Sequence, residues 1–157
     1  MADKVAKSLP EQLLRLLKEE RFVLLSTIDK DTGAPYTHAI SWLYAPNQSK
    51  ILFAVDSRSK LVDNIKANEL VSLTLIGSGS VYSINGHASI AAEQIEGAPI
   101  KLAKVVVSVD DVHDTMFYGS KISVEPQYEK TYDKQAADKL DHQVMSALKG
   151  EDQNEQA

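Results

Sequence analysis

The sequence predicts an α+β protein: a closed or nearly closed, mostly antiparallel β-barrel with peripheral helices. Three observations carry that expectation. From Phe22 onward, five short segments rich in β-branched, aromatic and aliphatic residues follow one another: "FVLLSTI", "PYTHAISWL", "KILFAVD", "LVSLTLI" and "SVYSINGHASIAA". All but one of the links between them are turn sequences too short for anything but antiparallel neighbours. Of the links among these five segments, only one is long enough for a helix, and clear helical spacing otherwise falls near the two ends of the chain.

Taken in order, "SLPEQLLRLLKEE" has a Ser-x-x-Glu capping box from Ser8 to Glu11, a proline in the first turn and leucines at 9, 13, 16 and 17, which predicts a helix over about 9–20. The turns "DKDTGAP", "YAPNQSK" and "GSGS" join strands one to two, two to three and four to five. Between strands three and four, "SRSKLVDNIKANE" is long enough for a helix, with Leu61, Val62 and Ile65 on one face. "EQIEGAPIKLAK" reads as a short broken helix, and "KVVVSVDDV" and "TMFYGSKISV" as two further strands. A last helix takes its apolar face from Ala136, Ala137, Leu140, Val144, Met145 and Leu148, with Gly150 as its stop. Residues 1–150 therefore read as a single domain and 151–157, "EDQNEQA", as a disordered C-terminal tail.

Bulk properties exclude several classes of function. A chain of 157 residues with 43% hydrophobic content can bury a core without metals or disulfides. Its 22 acidic and 17 basic residues are mixed along the chain, so a nucleic-acid partner, which calls for a basic stripe, is not expected. The absence of cysteine rules out disulfides, thiolate metal sites and cysteine nucleophiles. No apolar run approaches the ~20 residues of a membrane span. "MADKVAKSLPEQ" carries no signal-like apolar block, which makes a cytoplasmic location the plain expectation.

The stretch "AVDSRSKLVDNIKAN" carries chemistry. If the helix starts near Ser57 or Ser59, its unpaired N–H groups and positive dipole end face a loop that also holds Arg58 and Lys60. Two hydroxyls, open amides and two cations within four residues can hold a phosphate. The alternative is a serine that merely caps the helix while Arg58 and Lys60 point into water.

From Phe22 to Ile90 the ordered set "LLSTIDKDTGAPYTHAI", "ILFAVDSRSKLVDNIKAN", "VSLTL" and "GHASI" resembles the pyridoxamine 5'-phosphate oxidase-like FMN-binding split-barrel family. The resemblance implies a mostly antiparallel split β-barrel over 1–150. It further implies a homodimer, with FMN in a groove at each of two sites along the subunit interface. Matched residue by residue, Ser57, Arg58, Ser59 and Lys60 fall where family members hold the FMN phosphate. His38, Ala39, Ile40 and Ser41 fall on the strand bordering the isoalloxazine and ribityl chain, and Ser72 and Thr74 on a strand that approaches the same cofactor. One departure is His38, which stands where family members often carry arginine.

The other histidines have competing readings. His38 suits a heme ligand, a proton donor near a flavin, or an exposed strand residue. His87, after Gly86, marks a bulge or a close backbone approach. His113 reads as part of a solvated acidic turn and His142 as a polar-face residue; no metal site is expected. Trp42 either covers the flavin or packs in the core or across a dimer interface. The expected function is an FMN-binding flavoprotein oxidoreductase acting on a substrate the residues do not specify; a pyridoxamine-phosphate pocket cannot be assembled from them. The alternatives are a non-catalytic flavin- or heme-binding stress or sensor module and a deazaflavin-dependent reductase.

Overall fold

The computed structural model describes residues 5–156, with side chains described over 6–150. Eight strands form one antiparallel sheet: β1 (Val5–Ala6), β2 (Val23–Ile28), β3 (Pro35–Ile40), β4 (Leu43–Asn47), β5 (Lys50–Asp56), β6 (Leu70–Gly77), β7 (Ser80–Ala92) and β8 (Leu102–Asp114). Seven follow the order β3-β2-β6-β7-β8-β5-β4, and β1 pairs with the far half of β8. The outermost strands of that path, β3 and β4, are consecutive in the chain and joined only by Ser41 and Trp42. The sheet must therefore curl until its two edges meet at this bend, which makes an α+β split barrel rather than a barrel closed by hydrogen bonds.

Burial follows from the curl. On β2, Val23, Leu25 and Thr27 point inward while Leu24, Ser26 and Ile28 are half-buried on the outer face, the period of two that a one-sided strand requires. The barrel interior is filled by Leu25, Leu43, Ile51, Phe53, Leu73, Leu75, Ile84 and Val105, all fully buried or nearly so, with α1 (Glu11–Leu16) adding Leu13 to the same core. β5 departs from alternation: Ile51, Phe53 and Val55 face the interior, while Leu52 and Ala54 belong to a second core with Ile95, Leu102, Val144, Met145 and Leu148. α3 (Lys134–Gln156) supplies the last three and covers the outer face of β5, which is why "ILFAV" is apolar without a break.

Several local expectations are corrected. Ser8 makes no capping box: Pro10 holds the N-cap position, its carbonyl accepts from the amides of Leu13 and Leu14, and the helix is only Glu11–Leu16. "PYTHAISWL" is two strands broken at Ser41–Trp42, and of the expected turn 44–50 only Gln48 and Ser49 turn, since 44–47 belongs to β4 and Lys50 opens β5. Residues 93–101 form no helix, because Gly97 at φ 93° turns the chain back and Ile95 N–H donates to the Leu102 carbonyl at 2.8 Å. "TMFYGSKISV" is not a strand. Among the described residues its backbone ties to the sheet region are Thr115 N–H to Val81 and Ile122 N–H to Gly79, and Phe117, Tyr118 and Val124 lie exposed. The last helix passes the expected stop at Gly150 and continues in backbone to Gln156; the side chains of the expected tail, 151–157, lie outside the described residues.

Candidate functional site

The site is built around α2 (Lys60–Ala67). β5 ends at Asp56, whose carboxylate accepts the Arg58 amide at 2.8 Å and whose carbonyl accepts the Ser59 amide at 2.9 Å, a tight turn that leaves Ser59 as the helix N-cap. Leu61, Val62 and Ile65 are buried on the barrel, as the helical period requires. Asn64 sits among them, fully buried, and its polar groups are satisfied across the fold: its amide donates to Thr27 Oγ1 at 3.0 Å and its Oδ1 accepts the Lys30 amide at 3.0 Å. That double bond ties α2 to the end of β2 and to the β2–β3 turn, and so sets where the N-terminus of α2 points.

Beside that N-terminus a groove of about 340 Å³ runs between α2, the end of β5 and the β3–β4 bend. Ile40, Val55 and Leu61 give it an apolar base, with Ala54 and Trp42 further along, and Tyr36, His38 and Ser41 on its strand wall. His38 is exposed, and its Nδ1 lies 2.7 Å from the Ala39 carbonyl oxygen. A carbonyl can only accept, so Nδ1 is the donor in this contact.

The polar end of the groove differs from a simple cationic cradle. Lys60 Nζ is 2.7 Å from Asp29 Oδ2 and 5.6 Å from the centre of the Tyr36 ring. Asp29 also accepts the amides of Asp31 and Thr32 through Oδ1. The Lys60 ammonium first, then these two amides, hold its carboxyl down at about 2, while the same pair raises Lys60 above its ordinary value. Arg58 lies out in solvent, 3.5 Å from Asp56, whose carboxyl is lowered mainly by the Arg58 amide. Ser59 Oγ is buried yet has no hydrogen-bond partner, the kind of orphan that calls for an explanation.

Of the residues expected at a cofactor site, His38, Ala39, Ile40, Ser41, Ser59 and Lys60 line this one groove. Arg58 borders a separate hollow with Gln94 and Lys101, and Ser57 donates its amide to the Lys101 carbonyl; neither lines the groove. Ser72 and Thr74 lie on β6 with half-buried side chains outside its lining; Ser72 Oγ bonds Ser83 Oγ. Asp29 and Asn64 carry the geometry beside Tyr36, which from sequence reads as mere strand packing yet lines the groove. Tyr36 was within reach, two residues before His38 on one strand face, and Asn64 is a polar residue interrupting an apolar helix face; Asp29 gave no local signal. His113 is not in a turn: it stands on β8 with Nε2 2.9 Å from Asp111 Oδ1. Gly86 does mark a bulge and a close approach, since a Cβ there would strike the Ser108 carbonyl oxygen.

At the β3–β4 bend a smaller hollow shares Ala39, Ile40 and Ser41 with the groove and adds Phe22, Tyr128 and Lys130. Lys130 bridges Glu20 and Asp141 at 2.9 and 3.1 Å, Tyr128 donates to Glu20, and Trp42 Nε1 donates to Asp141 at 2.9 Å. Burial, then the Glu20 carboxylate, pushes the Tyr128 hydroxyl up to about 12. One network thus fastens α3 and the segment before it to the groove's Trp42.

A curled antiparallel sheet with a ligand-sized groove at its one bent edge defines the class: an α+β split-barrel protein. A family model described as pyridoxamine 5'-phosphate oxidase matches residues 9–146, and the chain belongs to that family. Solved structures share the fold at low identity. HupZ of Group A Streptococcus is 14% identical with a TM-score of 0.56, over 74% of this chain and 99% of that one. General Stress Protein 26 of Bacillus anthracis is 15% identical with a TM-score of 0.55, over 68% and 94%. An F420 reductase is 18% identical with a TM-score of 0.56, over 66% and 98%. No curated protein sequence matches the chain significantly.

Proposed function

We propose that this chain is a flavin-binding protein of oxidoreductase type that holds FMN in the groove beside α2, as a homodimer with the cofactor at the subunit interface. The observation that carries the reading is the polar end of an otherwise apolar groove. The buried, partnerless Ser59 hydroxyl, the Lys60 ammonium and the open amides of the first turn of α2 lie together there. A hydroxyl donor and an ammonium at a helix N-terminus suit a phosphate monoester, and Ile40, Val55, Leu61 and Trp42 suit a flat aromatic ring. The volume of about 340 Å³ falls within the ~300–1,000 Å³ typical of small-molecule sites.

Bound there, a flavin supplies the electron transfer, and the protein supplies orientation and control of access. Lys60 and Ser59 hold the phosphate; the end of β3 from His38 and the bend at Ser41 border the ring and chain. Ser72 and Thr74 belong to the outer face of β2, β6 and β7, and in a dimer that face carries them toward a partner rather than their own groove. No substrate pocket is assigned.

The test is the absorbance spectrum of purified protein loaded with FMN and stripped of free ligand by gel filtration. Retained flavin bands support the reading, and reduction by a nicotinamide nucleotide followed by reoxidation separates an enzyme from a storage or sensor module. A Soret band after loading with heme, or retention of a deazaflavin in preference to FMN, replaces FMN with that ligand. Lys60→Ala removes a charge-assisted contact of roughly 1.5–3 kcal/mol, so FMN affinity should fall about ten- to a hundredfold. An unchanged dissociation constant takes Lys60 out of the phosphate site.

A further inference from the structure

The geometry points to Asp29 as the residue that sets how strongly the groove prefers a phosphorylated ligand over its uncharged counterpart, by holding Lys60 in an internal ion pair that a phosphate must share or break. This rests on the reading of Ser59 and Lys60 as the phosphate end of the groove. Asp29 is not a passing partner. Its carboxylate is 2.7 Å from Lys60 Nζ, and its other oxygen is pinned by the Asp31 and Thr32 amides at 2.9 and 3.1 Å, so the hairpin turn itself holds the charge in place. Asp29 is only 8% exposed, while the Lys60 side chain is 42% exposed, so water screens the pair from the lysine side alone. The charged residues lining the groove are one ammonium, Lys60, and one carboxylate, Asp56, and Asp31 adds to the negative field at Lys60. An incoming dianion therefore meets a cation whose charge is already matched, with carboxylates close behind it. Lys60 gains less from the phosphate than an unpaired lysine would, and binding leans on the apolar groove.

Asp29→Asn isolates this role. Asparagine keeps Oδ1 to accept the turn amides, and so preserves the hairpin, but removes the charge facing Lys60. Wild-type chain, Asp29→Asn and a second variant, Asp29→Ser, are titrated at one ionic strength with FMN and riboflavin, followed through the emission of the sole tryptophan, Trp42. Inorganic phosphate is titrated separately by 31P line width. The expected result is that Asp29→Asn binds FMN and phosphate about tenfold tighter, the scale of one charge-assisted contact, with riboflavin unchanged. A merely structural role would shift both flavins together, and that result overturns the proposal. So does weaker or unchanged FMN and phosphate binding, which would make Asp29 a support that aims Lys60. If the wild-type chain holds neither flavin, the flavin reading fails by itself, and the phosphate titration still decides Asp29: a gain supports it and no gain rejects it. Should Asp29→Asn lose its folded circular dichroism, Asp29→Ser carries the same comparison.

Discussion

Asp29 joins stability to the site at the scale of one residue. Its folded-state pKa lies at about 2, below the ordinary 3.8, so ionised Asp29 favours the folded protein. That contribution is present in full above about 3.8 and is lost as pH falls toward 2. The urea midpoint of the wild-type chain should therefore decline across this window, and Asp29→Asn should decline less steeply over the same range. Identical acid limbs in the two proteins would show that Lys60 does not hold Asp29 in solution. Lys60 and Asp29 form one interaction, so their shifts describe a single effect. Arg58 makes the contrast: its pair with Asp56 is solvent-exposed at 3.5 Å, where ion pairs add little.

The elements differ in how far local sequence could describe them. β7 runs Ser80–Ala92, the bounds of the apolar segment itself, and its turn with β6 falls within the hairpin turn "GSGS", at Ser78 and Gly79 with φ 50° and 76°. α2 begins one residue after Ser59, one of two starts the sequence left open. By contrast "TMFYGSKISV" has the composition of a strand and no neighbour to pair with, because β8 is already flanked by β7 on one edge and by β5 and β1 on the other. β5 shows the reverse effect, since only docking of α3 explains why both of its faces are buried. Leu148, fully buried in that second core, gives the test: Leu148→Ala should lower unfolding free energy by about 2–5 kcal/mol in urea titrations followed by circular dichroism. A change under ~0.5 kcal/mol, the size of a surface substitution, would mean that α3 does not dock on β5.

For the whole molecule, curling the sheet until β3 and β4 meet leaves the outer face of β2, β6 and β7 without a covering helix. Leu24, Ser26, Ser72, Thr74 and Ser83 stand there half-buried, with Leu70 half-exposed at its end. A sheet face of small and aliphatic side chains suits a second copy of the chain. Sedimentation equilibrium should then give about twice the 17.3 kDa chain mass, and a single-chain mass at micromolar concentration would reject the homodimer. No helix among the described residues is long and apolar enough to cross a membrane.

The sequence by itself determined β2, β5, β6 and β7 and the antiparallel connections, the α2 helix with its Ser-Arg-Ser-Lys approach, and the likeness that carries the family. These depend on periodicity, turn chemistry and short-range spacing, which neighbouring residues settle among themselves. The tertiary structure alone decided that Lys60 is paired with Asp29, that Asn64 ties α2 to Thr27, that Arg58 stands apart from the groove, and that α3 buries the second face of β5. Apart from the position of Arg58, each of these joins side chains far apart in the chain, so it exists only once the sheet has curled and brought them within a few ångströms. Composition lists the charges of the site; only the fold decides which of them cancel.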